Sequence, residues 1–245
     1  MGVAIIGGTG LTTLENLEIT HREVVHTPYG EPSGPITHGI LHGHEVLFLA
    51  RHGYGHTIPP HRVNYRANLW ALQHLGVDRL FAVAAVGGIH ERMAPARIAF
   101  PDQIIDYTWG RSHTFFEDDL AEVTHIDFTY PYDDGMRQLL IDAAREAGID
   151  AEETCTYGAT QGPRLETAAE IRRMRNDGCD LVGMTGMPEA ALARELGMGY
   201  ATSAVVANWA AGLQPAPISM ADIERYLQDG MTGVRQLLGA LIPRL

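Results

Sequence analysis

An apolar run, Val3-Ala4-Ile5-Ile6, passes without a polar break into Gly7-Gly8-Thr9-Gly10. That pattern predicts a buried strand ending in a loop whose backbone amides can hold an anion. Comparable strand-like runs recur at Val46 to Ala50, Leu80 to Val86, Leu181 to Met184 and Tyr200 to Val206. Helical patterns fall between them: Asn64 to Leu75, Gly135 to Ala147, Glu166 to Arg175, Glu189 to Leu196 and Ser219 to Ile242. The last opens with Ser219-Met220-Ala221-Asp222, a capping serine with an acid in the first turn. Strands alternating with helices over residues 1–245 predict a single α/β domain, a mixed β-sheet flanked by helices. One segment departs from the alternation. Trp109 to Asp134 is a long excursion rich in aromatics and acids, suited to an active-site wall or a subunit contact.

Composition narrows the function. The formal net charge is -12, which disfavours a nucleic-acid surface or an anionic membrane as partner. An acidic protein that binds an anion must do so with a local cluster of donors. Cys155 and Cys179 supply no disulfide framework. The start, Met1-Gly2-Val3, lacks a basic leader, and Ile6 stands where a myristoylation signal needs Ser or Thr. No apolar run reaches membrane-spanning length. The expected location is the cytoplasm.

The glycine loop does not fit a dinucleotide, because Leu11, Thr12 and Thr13 stand where the third glycine is needed. A nucleoside triphosphate loop needs a lysine, and the chain contains none. A single phosphate fits the glycine amides and the Thr9 hydroxyl. A second stretch, Ala50-Arg51-His52-Gly53-Tyr54-Gly55-His56-Thr57-Ile58-Pro59-Pro60-His61, strengthens that reading. Arginine offers a planar fork for phosphate oxygens. Three histidines here raise a metal site, but glycines and prolines break any shared face and no carboxylate sits among them. No metal is expected, and His56 and His61 read as buried structural histidines.

These stretches, together with VAAVGG, QGPRLE and GMTGMPEAALARELGMGYA, come in an order that resembles the trimeric purine nucleoside phosphorylases. The resemblance is strongest to their methylthioadenosine phosphorylase branch and covers nearly the whole chain. It implies a nucleoside phosphorylase-like fold, phosphorolysis of a purine nucleoside, phosphate as co-substrate with no cofactor, and a homotrimer with sites near subunit interfaces. Carried across position by position, it puts Thr9, Arg51, His52 and Thr185 on phosphate, with the backbone at Ala84 and Ala85. Ala84 departs from the branch, which has threonine there. Met184 matches a residue that packs on the ribose.

The base and sugar contacts divide between branches. Asn208 and Ala210 stand where adenine-specific members carry acids. An ionised aspartate only accepts hydrogen bonds, whereas Asn208 can donate to a 6-oxo group and accept from N7–H. Glu166 stands where the 6-oxopurine branch carries glutamate, and a carboxylate accepts the N1–H of such bases. The competing reading is that Glu166 only begins a helix, where acids are favoured. Met220 falls at the position next to the 5′ group, where a thioether suits a methylthio substituent. His125 resembles a residue contributed by a neighbouring subunit. The combined expectation is phosphorolysis of S-methyl-5′-thioinosine, with Asn208, Arg51 and His52 catalytic. Alternatives are methylthioadenosine or a general 6-oxopurine nucleoside as substrate. Outside the class stand a dinucleotide-dependent reductase and a non-catalytic nucleoside-binding module.

Overall fold

A computed structural model describes residues 2–118, 120, 122–214 and 218–245, apart from the side chain of Met220. The sheet is mixed. Strands β1 (Gly2–Gly7), β2 (Glu18–Glu23), β3 (Ile36–Leu41), β4 (His44–Ala50) and β5 (Val77–Gly88) precede the short β6 (Ile98–Ala99) and β7 (Gln103–Asp106). They are followed by β8 (Ala151–Glu152), β9 (Thr156–Ala159), β10 (Leu181–Gly183) and β11 (Gly199–Trp209). The main order is β2-β3-β4-β1-β5-β10-β9-β7, with β11 paired to β5. Helices are α1 (Tyr65–His74), α2 (Asp134–Glu146), α3 (Ala168–Asn176), α4 (Gly186–Glu195) and α5 (Met220–Leu241).

Alternation along the central strands explains the layers. Ala4 and Ile6 of β1, with Leu80 and Ala82 of β5, pack with Leu69 and Leu72 of α1 and Ala190 and Leu192 of α4. Val3, Ile5, Phe81 and Val83 face the other way, onto Leu140 of α2 and Leu237 and Leu241 of α5. Strands covered on both faces read as continuous apolar runs, which is what the sequence showed. The predicted helices are present with shifted ends. Ser219 caps α5 by accepting from the Asp222 amide at 3.0 Å. In α4, Met187 has φ -118° and ψ 140°, so regular helix starts at Pro188. The outer strand β2 was not foreseen, because all but one of its residues are exposed and it carries no apolar run.

The split partnership of β5 positions the site. β11 runs along one edge of β5 from Arg79 to Gly88. On the other edge β1 ends at the pair Ile6–Ala82, and β10 begins antiparallel at Val182–Gly87. Residues 83–86 of β5 therefore face an opening between two strands. A crevice where strand partners diverge is where α/β sheets bind ligands.

Candidate active site

That opening leads into a cavity of about 320 Å³, large enough for a small ligand. Its walls include Gly8, Thr9, Arg51, His52, Ala84, Ala85, Met184, Thr185, Glu166, Asn208 and Ala210, so residues from distant parts of the sequence meet here. Two expected residues are not among them. His125 is exposed on the 109–134 excursion and does not line this chain's cavity. The Met220 side chain lies outside the described residues, while Ile223, one turn further along α5, does line the cavity.

At one end, the β1 loop and the end of β4 lie side by side, with the Arg51 amide donating to the Gly7 carbonyl at 2.9 Å. Gly8 is required by close approach: a Cβ there would lie 2.6 Å from the Val83 oxygen and 2.8 Å from Arg51 Nη1. Arg51 is only 1% exposed and forms a fork on Glu189, itself 0% exposed. Nε donates to Glu189 Oε2 at 2.6 Å and Nη2 to Oε1 at 2.7 Å, while Nη1 donates to the Val83 carbonyl at 3.0 Å. A guanidinium has five N–H donors, so these bonds leave donors for a ligand. Burial alone would lower the Arg51 pKa, but Glu189 more than offsets it and holds the charge in place. Tyr200 also donates to Glu189 Oε1, at 2.9 Å.

His52 is held neutral. Its pKa is lowered to about 4, first by burial and then by the Arg51 charge. Nδ1 lies 2.8 Å from the Ile58 carbonyl, which can only accept, so Nδ1 carries the proton and Nε2 is left as an acceptor. The expectation that His56 is buried is corrected: it is exposed, lines the cavity, and sits 3.5 Å from the Thr9 hydroxyl. It closes a turn, its amide donating to the Gly53 carbonyl at 3.0 Å, with a positive φ of 50°. Thr185 precedes α4 without capping it through its side chain, and its amide donates to the Tyr157 hydroxyl at 3.4 Å. Its own hydroxyl is not committed to the helix.

At the other end stand Glu166 and Asn208. A register shift between Val206 and Asn208 bulges β11, and both Ala207 and Asn208 line the cavity. A bulge turns adjacent residues toward the same side, which strict alternation forbids. Asn208 Nδ2 donates to the Trp209 carbonyl at 2.7 Å. Glu166 precedes α3 rather than opening it. Thr167 is the cap, and Thr167 with Glu170 forms the reciprocal capping box. The helix-start reading of Glu166 is thereby removed. Its Oε1 instead accepts from the Thr160 hydroxyl at 2.7 Å.

The three histidines of the 52–61 stretch form no metal cluster. Among the described residues the group of potential ligands is His21, Glu23 and His38. The His21 and His38 rings stack at 4.1 Å, so their in-plane lone pairs run side by side rather than converge. Sequence reasoning missed Glu189, Tyr200, Thr160 and Arg111. Glu189 lay within an expected helix, and nothing in a PEAALARE run distinguishes a buried acid from a solvated one.

The fold and cavity define a phosphorylase: residues 2–243 match the phosphorylase superfamily, and the chain belongs to that family. Among its relatives, a protein of Pseudomonas syringae named "Probable S-methyl-5'-thioinosine phosphorylase" is 56% identical over 98% of this chain and 97% of its own length. The "6-oxopurine nucleoside phosphorylase" of Pyrococcus furiosus is 46% identical over 98% of this chain and 92% of its own. In three dimensions the chain is similar to methylthioadenosine phosphorylase from Schistosoma mansoni in complex with adenine. The TM-score is 0.95 at 31% identity, covering 100% of this chain and 91% of that one.

Proposed function

We propose that this enzyme of the nucleoside phosphorylase type converts S-methyl-5′-thioinosine and phosphate to hypoxanthine and 5-methylthioribose 1-phosphate. In that reaction the C1′–N9 bond breaks and its electron pair leaves with the purine. A phosphate oxygen forms the new bond at C1′. Positive charge grows on the ribose and negative charge on the base, so positioning and electrostatics supply most of the acceleration. Phosphate sits against Thr9, Arg51, His52, Thr185 and the β5 backbone at Ala84 and Ala85. His52, in the tautomer that the Ile58 carbonyl requires, takes a hydrogen bond from a P–OH group rather than giving one. Met184 packs on the ribose. Asn208 reads N7 and O6, Glu166 reads N1–H, and Ala210 leaves room where adenine readers carry an acid. Met220 is assigned to the methylthio group. No metal or cofactor has a part in this scheme.

The observation that carries the base assignment is Glu166. It is released from helix capping, held by Thr160, and shares the cavity with Asn208. The names of the relatives support the same reading, methylthioinosine first and 6-oxopurine nucleosides next. We extend the proposal to a cytoplasmic homotrimer in which His125 completes a neighbour's site. The exposure of Trp109 at 72%, Val123 at 76% and Tyr130 at 71%, on the excursion that carries His125, supports that contact. The test is purine release from methylthioinosine, methylthioadenosine, inosine and guanosine, with and without phosphate. Methylthioinosine should be preferred and turnover should require phosphate. A preference for methylthioadenosine, or turnover without phosphate, refutes the proposal.

A further inference from the structure

Arg111 lies on the 109–134 excursion, is 8% exposed, and does not line the cavity. Its guanidinium nevertheless gathers the cavity walls. Nη2 donates to the carbonyls of Thr160 at 3.2 Å and Gln161 at 2.9 Å, and Nε donates to Gln161 Oε1 at 3.0 Å. Nη1 donates to the carbonyls of Met184 at 2.9 Å and Met187 at 2.6 Å. It also donates to the Tyr65 hydroxyl at 3.3 Å, which in turn donates to the carbonyl of Pro60, a cavity residue, at 3.0 Å. One cation thus joins the base-side loop at 160–161, the sugar- and phosphate-side loop at 184–187, and the wall at Pro60.

These loops touch. A Cβ on Gly162 would collide with the Met184 sulfur, so their spacing is set within the width of one side chain. Carbonyl oxygens converging on one point repel each other and, once buried, need a donor. A planar fork with five N–H groups supplies donors in several directions at once, which an ammonium cannot do with the same geometry. The excursion itself is pinned to the end of α4, where Glu195 accepts from the Thr114 hydroxyl at 2.7 Å and the Phe115 amide at 2.6 Å.

We propose that Arg111 is a positioning residue that couples purine selection to phosphate binding. It fixes the Thr160 backbone, whose hydroxyl orients Glu166, and the Met184–Met187 turn, which carries Thr185. This rests on the functional reading above, in which Glu166 faces the purine and Thr185 the phosphate. Arg111→Met removes both restraints. Thr160→Val removes the hydroxyl on Glu166 together with its longer contact to the Gly183 carbonyl at 3.3 Å, a carbonyl that keeps the Thr160 amide at 2.8 Å, and Arg111→Lys keeps charge without the fork.

The test is calorimetric binding of hypoxanthine, adenine and inorganic phosphate to the wild type and these variants, with folding checked by circular dichroism. Arg111→Met should shrink the ratio of hypoxanthine to adenine affinity by about tenfold or more, the scale of a lost charge-assisted bond, and weaken phosphate in parallel. Arg111→Lys should recover only part of each. Thr160→Val should shrink the base ratio with phosphate affinity retained. A folded Arg111→Met that keeps the wild-type base ratio, or loses only one of the two affinities, overturns the coupling. Should Arg111→Met fail to fold, Thr160→Val with unchanged selectivity overturns it. A wild type that prefers adenine refutes the functional reading but leaves the coupling standing if the variants shrink that preference. A wild type with no preference overturns both.

Discussion

Replacing Arg51 should damage the fold as well as the chemistry. An arginine that only bound phosphate would, when truncated, weaken phosphate use far more than folding. The structure changes that balance. Glu189 is wholly buried and takes both arms of the Arg51 fork, so Arg51→Ala leaves a carboxylate stranded in the core. Breaking a buried pair from one side costs about 3–5 kcal/mol. For a chain of this size that lowers the melting temperature by roughly 6–20 °C. Loss of a charge-assisted phosphate contact costs a further ~1.5–3 kcal/mol, or about ten- to a hundredfold in phosphate affinity. A double variant separates the two effects. Arg51→Met with Glu189→Met removes both charges, and apolar replacements of a buried pair are often neutral or stabilising. It should regain the stability to within about 1–3 kcal/mol, the remainder reflecting the Tyr200 hydroxyl and Val83 carbonyl left without partners. Phosphate affinity should stay low. The assays are thermal unfolding and the phosphate dependence of purine release. An Arg51→Ala protein as stable as the wild type refutes the buried-pair reasoning. A double variant with wild-type phosphate affinity refutes the phosphate role of Arg51.

Further outcomes follow from other parts of the site. The His52 pKa of about 4 lies below its ordinary 6.5, so the unfolded chain binds more protons between those values. Stability should be full above pH 6.5 and fall as pH drops toward 4, by no more than about 3 kcal/mol, and urea unfolding of His52→Gln should lose that part of the slope. Asn208→Asp combined with Glu166→Ser should raise the use of methylthioadenosine relative to methylthioinosine, from a wild-type disadvantage of about 10⁴-fold; an unchanged kcat/KM ratio would reject the base assignment. Gly8→Ala puts a methyl 2.8 Å from Arg51 Nη1 and 2.6 Å from the Val83 oxygen, so phosphate KM should rise steeply, and a wild-type KM would show that the loop relaxes freely.

Much of the fold was legible from the sequence because strands covered on both faces carry an uninterrupted apolar run. Val3 to Ile6 and Leu80 to Val86 announced β1 and β5 in that way. Capping was readable at Ser219 because it depends on neighbours within one turn. The glycine loop at Gly8 and the Arg51-His52 pair signalled an anion from local chemistry alone. Strand β2 was not readable, since an exposed edge strand lacks the apolar pattern. Which edge of β5 is left open was also beyond the sequence, because that depends on where β1 stops and β10 starts.

The site divides along the same line. Local chemistry pointed to Thr9 and Arg51, the family resemblance pointed to Glu166 and Asn208, and the cavity contains all of them. Only the tertiary structure decided that Arg51 is matched by Glu189, 138 residues away, and that a bulge turns Asn208 inward. It also decided that Glu166 answers to Thr160 rather than to α3, and that Arg111 gathers carbonyls from both sides of the cavity. The physical reason is range. Periodicity, capping and turn chemistry act over a few residues, whereas the partner of a buried charge is fixed by packing that brings distant segments together.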